Sequence, residues 1–152
     1  MEDRFEIKPI GYIKKKDKDT WIEILDEFID ALLRLNEFSH IITLWWITGR
    51  DTEEDRTRLQ VHPKVRAAEG VEVKDTPLCG VFATRSPGRP NPIGLTTVKL
   101  LKIEGNKIYI DRTDAFEDTP IIDIKPYIPR SDSIINVKVP DFFSALREKR
   151  IE

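Results

Sequence analysis

Several kinds of protein are excluded by what this sequence contains little of. The single cysteine, Cys79, cannot form an intramolecular disulfide, which is consistent with a reducing compartment and makes the cytoplasm the expected location. The two histidines, His40 and His62, do not cluster with Cys79, so we expect no metal site, since zinc needs several such ligands at short spacings. No signal-peptide core opens the chain, and no apolar run approaches the ~20 residues of a membrane helix.

Glycine is also scarce and scattered. Seven glycines are present, and no two stand in the G-x-G spacing of a Rossmann dinucleotide site. A Walker-type phosphate loop is missing too, so any nucleotide-like cofactor must be bound by another architecture. The net charge of -2 does not predict nucleic-acid binding by the protein as a whole, and such binding would need a local basic patch.

The pattern of apolar residues predicts the fold class. The 152 residues suffice for one domain with one sizeable core. Short apolar segments bounded by turn signals predict strands at residues 7–13, 41–47, 81–84, 95–103, 107–111 and 121–125. A charged turn is expected at 14–19 and a hairpin turn at 104–106, and the unbroken run 41–47 is typical of a strand that is buried on both faces. We therefore predict a mainly β, single-domain, β-barrel-like fold with one or two short helices.

Three further segments do not follow this simple strand pattern. The apolar residues from Trp21 to Leu33 follow the helical spacing, yet Trp21–Ile24 also fits a short strand with a helix starting at Asp26. Residues 49–79 are polar and unusually long for a loop inside a compact domain, which is typical of a functional or mobile segment. In the C-terminal tail, Pro140-Asp141 before an apolar stretch predicts the start of a helix.

The most informative stretch reads GVFATRSPGRPNPIGLTTVKL, from Gly80 to Leu100. Its three prolines push the residues before them toward extended conformations, so this loop is expected to be stiff and to lose little entropy on binding. Arg85 and Arg89 place two guanidinium groups on the loop, and such groups suit a carboxylate or a phosphate, although either could pair with an acidic residue and brace the loop. Asn91 could contact a base edge or cap a turn.

Three motifs together resemble a known family. FSH at 38–40, GVFATRSPGRPNPIGL at 80–95 and TPIIDIKPYIP at 119–129 are similar in order and spacing to the TsaA-like family, whose characterised enzyme is the TrmO-type tRNA methyltransferase. The resemblance covers roughly residues 7–132 of this single domain and leaves 133–152 as a tail. It implies a homodimeric, β-barrel-like methyltransferase that uses S-adenosylmethionine and methylates N6 of threonylcarbamoyl-adenosine next to the tRNA anticodon. It also favours the strand-then-helix interpretation of residues 21–35.

The loop chemistry and the resemblance together nominate three sets of residues. Cofactor contacts are expected from Arg85, Leu95, Thr48, Gly49, Ala115, Phe116, Glu117 and Asp118. RNA contacts are expected from Arg89, Asn91, Lys14, Lys15 and Lys16. For the reaction, a carboxylate is expected to accept the proton of the acceptor nitrogen, and Asp114 and Asp118 are equal candidates.

This chain departs from the family pattern at places that the family uses for cofactor. Thr48 stands where a histidine is common, Glu117-Asp118 replaces aspartate-glycine, and Lys14–Lys18 matches a proline-arginine-glutamine-like segment poorly. Two other functions therefore stay open. One is an S-adenosylmethionine-binding protein with a different methyl acceptor or a sensor role. The other is a non-enzymatic RNA-binding module, against which the net acidity argues.

Overall fold

The structure is a computed structural model that describes residues 2–64 and 75–144. Its eight strands are β1 (Gly11–Lys16), β2 (Asp19–Ile24), β3 (His40–Trp46), β4 (Gln60–Val61), β5 (Cys79–Gly80), β6 (Ile93–Glu104), β7 (Lys107–Ile110) and β8 (Pro120–Pro126). Three short α-helices are α1 (Glu53–Thr57), α2 (Pro129–Asp132) and α3 (Asp141–Ser144). The 3₁₀ helices are Asp26–Leu32, Leu35–Glu37 and Val81–Ala83.

Six of the strands form a closed antiparallel barrel in the order β1-β2-β7-β6-β3-β8. The long strand β6 makes closure possible, because its first half pairs with β3 and its second half pairs with β7, with a register shift between Leu100 and Lys102. On the other side, β8 pairs with β3 and with β1, where Gly11 lies opposite Ile121. Closure leaves the barrel strands without the unpaired edges that promote aggregation.

The core is built from the inward side chains of these strands. Strand residues alternate between the two faces of a sheet, and in the barrel the inner set is mainly isoleucine, a residue that packs well on a pleated surface. Ile22, Ile41, Ile108 and Ile121 are fully buried, and Ala115 from the connection before β8 packs with them. Each such isoleucine contributes about 1.5–3 kcal/mol through burial.

The barrel has two ends that differ in the segments they carry. We define the upper end by the β1–β2 turn, the connection between β3 and β6, and the connection between β7 and β8. The lower end carries residues 25–39 between β2 and β3, together with the β6–β7 turn. The described parts of the long polar segment, residues 49–64 and 75–79, therefore belong to the upper end and contain α1, β4 and the start of β5.

Most of the predicted fold is confirmed. The mainly β barrel is present, and the strands predicted at 41–47, 95–103, 107–111 and 121–125 correspond to β3, β6, β7 and β8. The hairpin turn at 104–106 is also confirmed, and Gly105 there has a φ of +59°, a conformation that glycine adopts without strain. Trp21 lies in β2, which confirms the strand interpretation, and the following helix is 3₁₀ rather than α.

Several predicted elements were wrong in detail. The first strand begins at Gly11 rather than Ile7 and continues through Lys16, so the charged turn is confined to Asp17-Lys18. Pairing with β2 begins at Gly11, and a Cβ there would lie 2.5 Å from the backbone oxygen of Glu23, so only glycine allows this close approach of the strands.

The strand predicted at 81–84 was wrong, and so was the burial on both faces predicted for residues 41–47. Residues 81–84 form a 3₁₀ turn, in which both the backbone N–H and the hydroxyl of Thr84 donate to the Val81 carbonyl. In β3 only inward residues such as Ile41 and Thr43 are buried, since a barrel wall has one interior face. In the tail, the predicted helix is present as α3, and its continuation beyond Ser144 lies outside the described residues.

Candidate functional site

All the nominated residues lie at or near the upper end of the barrel. The three upper connections and the strand ends beside them carry Lys14, Lys15, Lys16, Thr48, Gly49, Arg85, Arg89, Asn91, Leu95, Asp114, Ala115, Phe116, Glu117 and Asp118. These residues come from four distant parts of the sequence. The antiparallel topology therefore brings to one end of the barrel what the chain keeps apart.

The end of β3 is held directly against residues 85–92, which we call the proline-rich loop. The N–H of Ile47 donates to the carbonyl of Pro92 at 2.8 Å, so the turn with Thr48 and Gly49 begins beside that loop. Gly49 has a φ of +81°, which suits the reversal there. Near the start of β6, Gly94 lies opposite Trp45 of β3, and a Cβ at Gly94 would lie 2.5 Å from the Trp45 ring. This position therefore requires glycine.

Arg89 braces its own loop. Its Nη1 donates to the carbonyls of Thr84 and Ser86 at 3.0 and 3.1 Å, and its side chain is half-buried. The bracing that the sequence left open is therefore present, but its acceptors are backbone carbonyls rather than an acidic residue. The predicted RNA contact of Arg89 would have to use the remaining N–H groups of the guanidinium.

Arg85 stands apart from the other arginines around this loop. It is exposed, and within residues 2–64 and 75–144 no hydrogen bond or ion pair involves it. By contrast, Arg50, Arg56 and Arg89 all donate to groups of the protein. A guanidinium that the fold leaves unpaired on a stiff loop is available to an external anion.

The polar segment after β3 contributes a cluster that the sequence analysis did not nominate. Arg50 donates to both oxygens of Asp55, at 3.0 and 2.8 Å, and this bidentate contact holds the pKa of the Asp55 carboxyl below its ordinary value. Thr52 caps α1, since its hydroxyl accepts the N–H of Asp55. The Thr52-x-x-Asp55 spacing was a capping signal present in the sequence.

The same segment contacts the proline-rich loop at several points. Arg56 donates from Nε to the Pro90 carbonyl at 2.9 Å and from Nη2 to Oδ1 of Asn91 at 3.4 Å, and it lies over the ring of Trp46. A Cβ at Gly88 would lie 3.1 Å from Oδ1 of Asp55. The side-chain oxygen of Asn91 therefore already has a donor within the protein.

The connection between β7 and β8 is anchored in the barrel. Ala115 is buried in the core, and the N–H of Asp118 donates to the carbonyl of Ile13 at 2.7 Å. Asp118 has a φ of +63° and pairs through Oδ1 with the ammonium group of Lys14 at 2.5 Å. The hydrogen bond with Asp118 raises the pKa of Lys14 above its ordinary value.

The other members of this connection face solvent. Phe116 is 78% exposed, which is unusual for a large aromatic side chain. Asp114 is exposed, and its carboxylate has no hydrogen-bond or ionic partner in the described part of the chain. The two carboxylates nominated as proton acceptors are thus in different states, one ion-paired and one free.

The basic residues of the β1–β2 hairpin divide in the same way. Lys14 is paired with Asp118, whereas Lys15 and Lys16 are exposed and their ammonium groups have no partner among the described residues.

No helix in the described part is long and apolar enough to cross a membrane. Nor do residues 2–64 and 75–144 contain a group of three metal-ligating side chains.

A closed six-stranded antiparallel barrel with an arginine-bearing, proline-containing loop at one end defines the class of this domain. The chain belongs to the tRNA-methyltransferase O family, because the profile of the tRNA-methyltransferase O N-terminal domain matches residues 3–133. The family predicted from the three sequence motifs is therefore confirmed.

Two sequence relatives are informative about this family. A probable S-adenosyl-L-methionine-binding protein of Methanocaldococcus jannaschii is 47% identical over 84% of this chain and 96% of its own length. A mouse tRNA (adenine(37)-N6)-methyltransferase is 38% identical over 77% of this chain but only 25% of its own length. The cofactor expected from the sequence agrees with the name of the first, and the reaction class with the name of the second.

A solved structure supports the fold. The crystal structure of TrmO has a TM-score of 0.66 with this chain at 27% sequence identity, and the match covers 90% of this chain. The chain spans 64% of the length of that solved protein, slightly under two thirds.

Proposed function

We propose that this protein is an S-adenosylmethionine-dependent methyltransferase that methylates N6 of threonylcarbamoyl-adenosine next to the tRNA anticodon. The observation that carries the proposal is that Arg85 has no partner among residues 2–64 and 75–144, on a loop that Arg56 and Arg89 hold by hydrogen bonds, in a chain of the tRNA-methyltransferase O family. The resemblance noted from the sequence suggests the finer substrate, and the unpaired guanidinium supports a cofactor site at the upper end.

The residues at the upper end fit the chemical groups of this cofactor. Arg85 offers a free guanidinium to the cofactor carboxylate, in a geometry that guanidinium and carboxylate share. Leu95 and Phe116 are 47% and 78% exposed, and they offer apolar surface to the adenine. Thr48, Gly49, Ala115 and Glu117 would contribute mainly through the backbone of the two connections.

The reaction needs alignment and removal of one proton. When bound, S-adenosylmethionine supplies an electrophilic methyl group. The amide-like N6 of the substrate is a weak nucleophile until it loses its proton, and a nearby carboxylate can accept that proton. Asp114 is the better placed of the two candidates, because its carboxylate is free while that of Asp118 is engaged by Lys14.

The RNA is expected to approach over the β1–β2 hairpin. Lys15 and Lys16 are exposed there and free to meet phosphates, and the ion pair of Lys14 connects this hairpin to the Asp114–Asp118 connection. The acceptor base must leave the anticodon stack to reach a protein site, as in other enzymes that act on bases. We expect this reaction to take place in the cytoplasm.

The homodimer implied by the resemblance remains part of the proposal. Ile134 and Ile135 in the tail are 74% and 83% exposed, and Phe82 beside the proline-rich loop is 82% exposed. A contiguous patch of exposed apolar side chains is typical of an interaction surface, and the adjacent Ile134 and Ile135 are candidates for the dimer contact. Light scattering at micromolar concentration should give twice the mass of one chain, and a monomer mass would remove the dimer from the proposal.

A second candidate function is an S-adenosylmethionine-binding protein with another acceptor. It is favoured by the substitution of Thr48 for the histidine common in the family and by Glu117-Asp118 in place of aspartate-glycine. Both substitutions lie at the upper end, where they would alter the cofactor surroundings rather than the barrel.

One experiment separates the two functions. The protein is incubated with methyl-labelled S-adenosylmethionine and tRNA that carries threonylcarbamoyl-adenosine, and in parallel with the same tRNA lacking that modification. Label in the first tRNA alone supports the proposed function. Label in neither tRNA, with normal cofactor binding by calorimetry, supports the second function.

A further inference from the structure

The segment from Arg50 to Arg58 lies against the proline-rich loop without belonging to any strand of the barrel. It touches that loop in two ways. Asp55 packs against Gly88, and Arg56 donates to Pro90 and Asn91. The segment thus reaches the loop on both sides of Arg89, whose guanidinium closes the remaining part of the loop on itself.

The Asp55 carboxylate accepts three side-chain hydrogen bonds from two residues. Arg50 donates two hydrogen bonds to it, the Thr52 hydroxyl donates a third at 3.1 Å, and its side chain is only 13% exposed. Gly88 leaves room for it, since a Cβ there would lie 3.1 Å from Oδ1 and 3.5 Å from Nη2 of Arg50. A side chain at position 88 would therefore require the loop or the Arg50–Asp55 pair to shift by a few tenths of an ångström.

We propose that Arg50, Asp55 and Arg56 are positioning residues that hold residues 85–92 in the conformation that presents Arg85 to the cofactor. This inference deepens the proposed function and relies on its assignment of Arg85 to the cofactor. The three side chains, which we call the clamp, contribute no group to the reacting atoms. Their role is to keep residues 85–92 in one conformation. A displacement of a binding group by about 1 Å can cost much of its contribution to binding and catalysis.

The arrangement explains why so polar a segment interrupts a compact barrel. Arg56 lies over the Trp46 ring at 5.7 Å, and Trp46 is the last residue of β3. The clamp is thereby anchored on the barrel wall at one side and on the loop at the other. Its charges are used internally, which leaves Arg85 as the guanidinium of the loop that is free for a ligand.

The test compares two bidentate arginine–carboxylate pairs in the same protein. Asp55→Asn, Arg50→Gln and the double variant break the pair at the upper end. Arg34→Gln breaks the matched control at the lower end, where Arg34 donates to both oxygens of Glu37 at 2.9 and 3.2 Å. The measurements are the S-adenosylmethionine Kd by calorimetry, kcat and KM for tRNA methylation, and the thermal midpoint.

For the upper pair we expect the Kd and the KM for the cofactor to rise about tenfold, with kcat at saturating cofactor within about twofold of wild type. The double variant should bind no more weakly than each single variant, because both substitutions remove the same pair. Arg56→Gln should give the same split between KM and kcat through its separate hydrogen bonds. Arg34→Gln should leave all of these values unchanged.

Three outcomes would overturn the inference. They are a wild-type cofactor Kd in Asp55→Asn and Arg56→Gln, effects that add in the double variant, and a fall in thermal midpoint with no selective change in KM. Arg85→Ala is measured alongside. If it binds cofactor normally, the proposed assignment of Arg85 is what fails, and this result is distinct from any result of the clamp variants.

Discussion

The two ends of the barrel differ in shape and in chemistry, and the two differences do not coincide. The lower end has a groove of about 380 Å³ beneath the 3₁₀ helices Asp26–Leu32 and Leu35–Glu37. Its lining is largely apolar and includes Ile10, Ile24, Phe28, Leu32, Leu35, Phe38, Ile124 and Pro126. The upper end has arginines, free carboxylates and a stiff loop.

By the usual rule an apolar concavity is the default ligand site. Here the charged residues of the groove are already satisfied, since Asp123 pairs with Lys125 at 3.0 Å and Arg34 pairs with Glu37. The groove therefore offers volume without free polar groups, and the upper end offers free polar groups. The comparison teaches that for a charged, zwitterionic cofactor the unpaired guanidinium is the more informative feature.

The sharpest way to break this comparison is to remove the free guanidinium. Arg85→Ala should weaken S-adenosylmethionine binding by roughly one to two decades, because a charge-assisted bidentate contact contributes about 1.5–3 kcal/mol. Phe28→Ala at the groove should lower the thermal midpoint but leave the calorimetric Kd unchanged. The reverse pattern would move the cofactor to the lower end.

Adding a methyl group near the start of β6 should lower the stability of the barrel. Gly94→Ala places a methyl group against the rigid Trp45 ring and should cost about 1–3 kcal/mol of unfolding free energy. Chemical denaturation measures this cost, and Gly80→Ala serves as the control, since a Cβ there would meet only the Leu59 carbonyl oxygen at 3.9 Å and the φ of Gly80 is -62°. An unchanged denaturation midpoint in Gly94→Ala would show that Trp45 can move away.

The hairpin lysines should affect RNA without affecting the cofactor. Changing Lys15 and Lys16 to glutamine should reduce the slope of log affinity for tRNA against log salt by about 0.7 for each phosphate that is no longer neutralised. Changing Lys14 as well should add less, because Lys14 is paired with Asp118. Filter binding at several salt concentrations measures the slope, and an unchanged slope would place the RNA elsewhere.

The smallest expected effect is the pH dependence of the clamp. The pKa of Asp55 is depressed below its ordinary value of 3.8, mainly by its hydrogen bond with Arg50, so the pair is intact above pH 3.8 and is broken as the pH falls through the depressed pKa. Thr52 and Arg58 also favour the charged form of Asp55, and Glu54 pairs with Arg58. The fluorescence of Trp46, whose ring lies under Arg56 of the clamp, should therefore stay constant from neutral pH down to about pH 4. A transition near neutral pH would contradict this sign.

What the sequence predicted well was set by local patterns. The alternation in residues 93–104 and 107–110 determines which side chains face the core, and glycine with asparagine at 105–106 determines the turn. The resemblance identified the correct family, and the residues it nominated lie together at the upper end of the barrel.

What the sequence did not predict depends on contacts between distant residues. The clamp was missed because Asp55 and Gly88 lie 33 residues apart, and their spacing carries no periodic signal. For Arg89 the sequence left open a ligand contact or an acidic partner, but its guanidinium donates to the backbone carbonyls of Thr84 and Ser86. The 3₁₀ turn at Val81 likewise follows from Thr84 bonding back to it, which strand propensity does not describe.

The direction in which the chain enters the barrel has a practical consequence. Residues 2–9 lead upward into β1 from the lower end, where Lys8 lies over Phe28 at 5.2 Å, while the candidate site lies at the opposite end. A tether attached at this side would orient the molecule on a sensor chip with Arg85 and the lysine hairpin facing the bulk solution. The same attachment gives a fixed geometry for single-molecule experiments, in which tRNA is delivered to an immobilised protein and each arrival is counted.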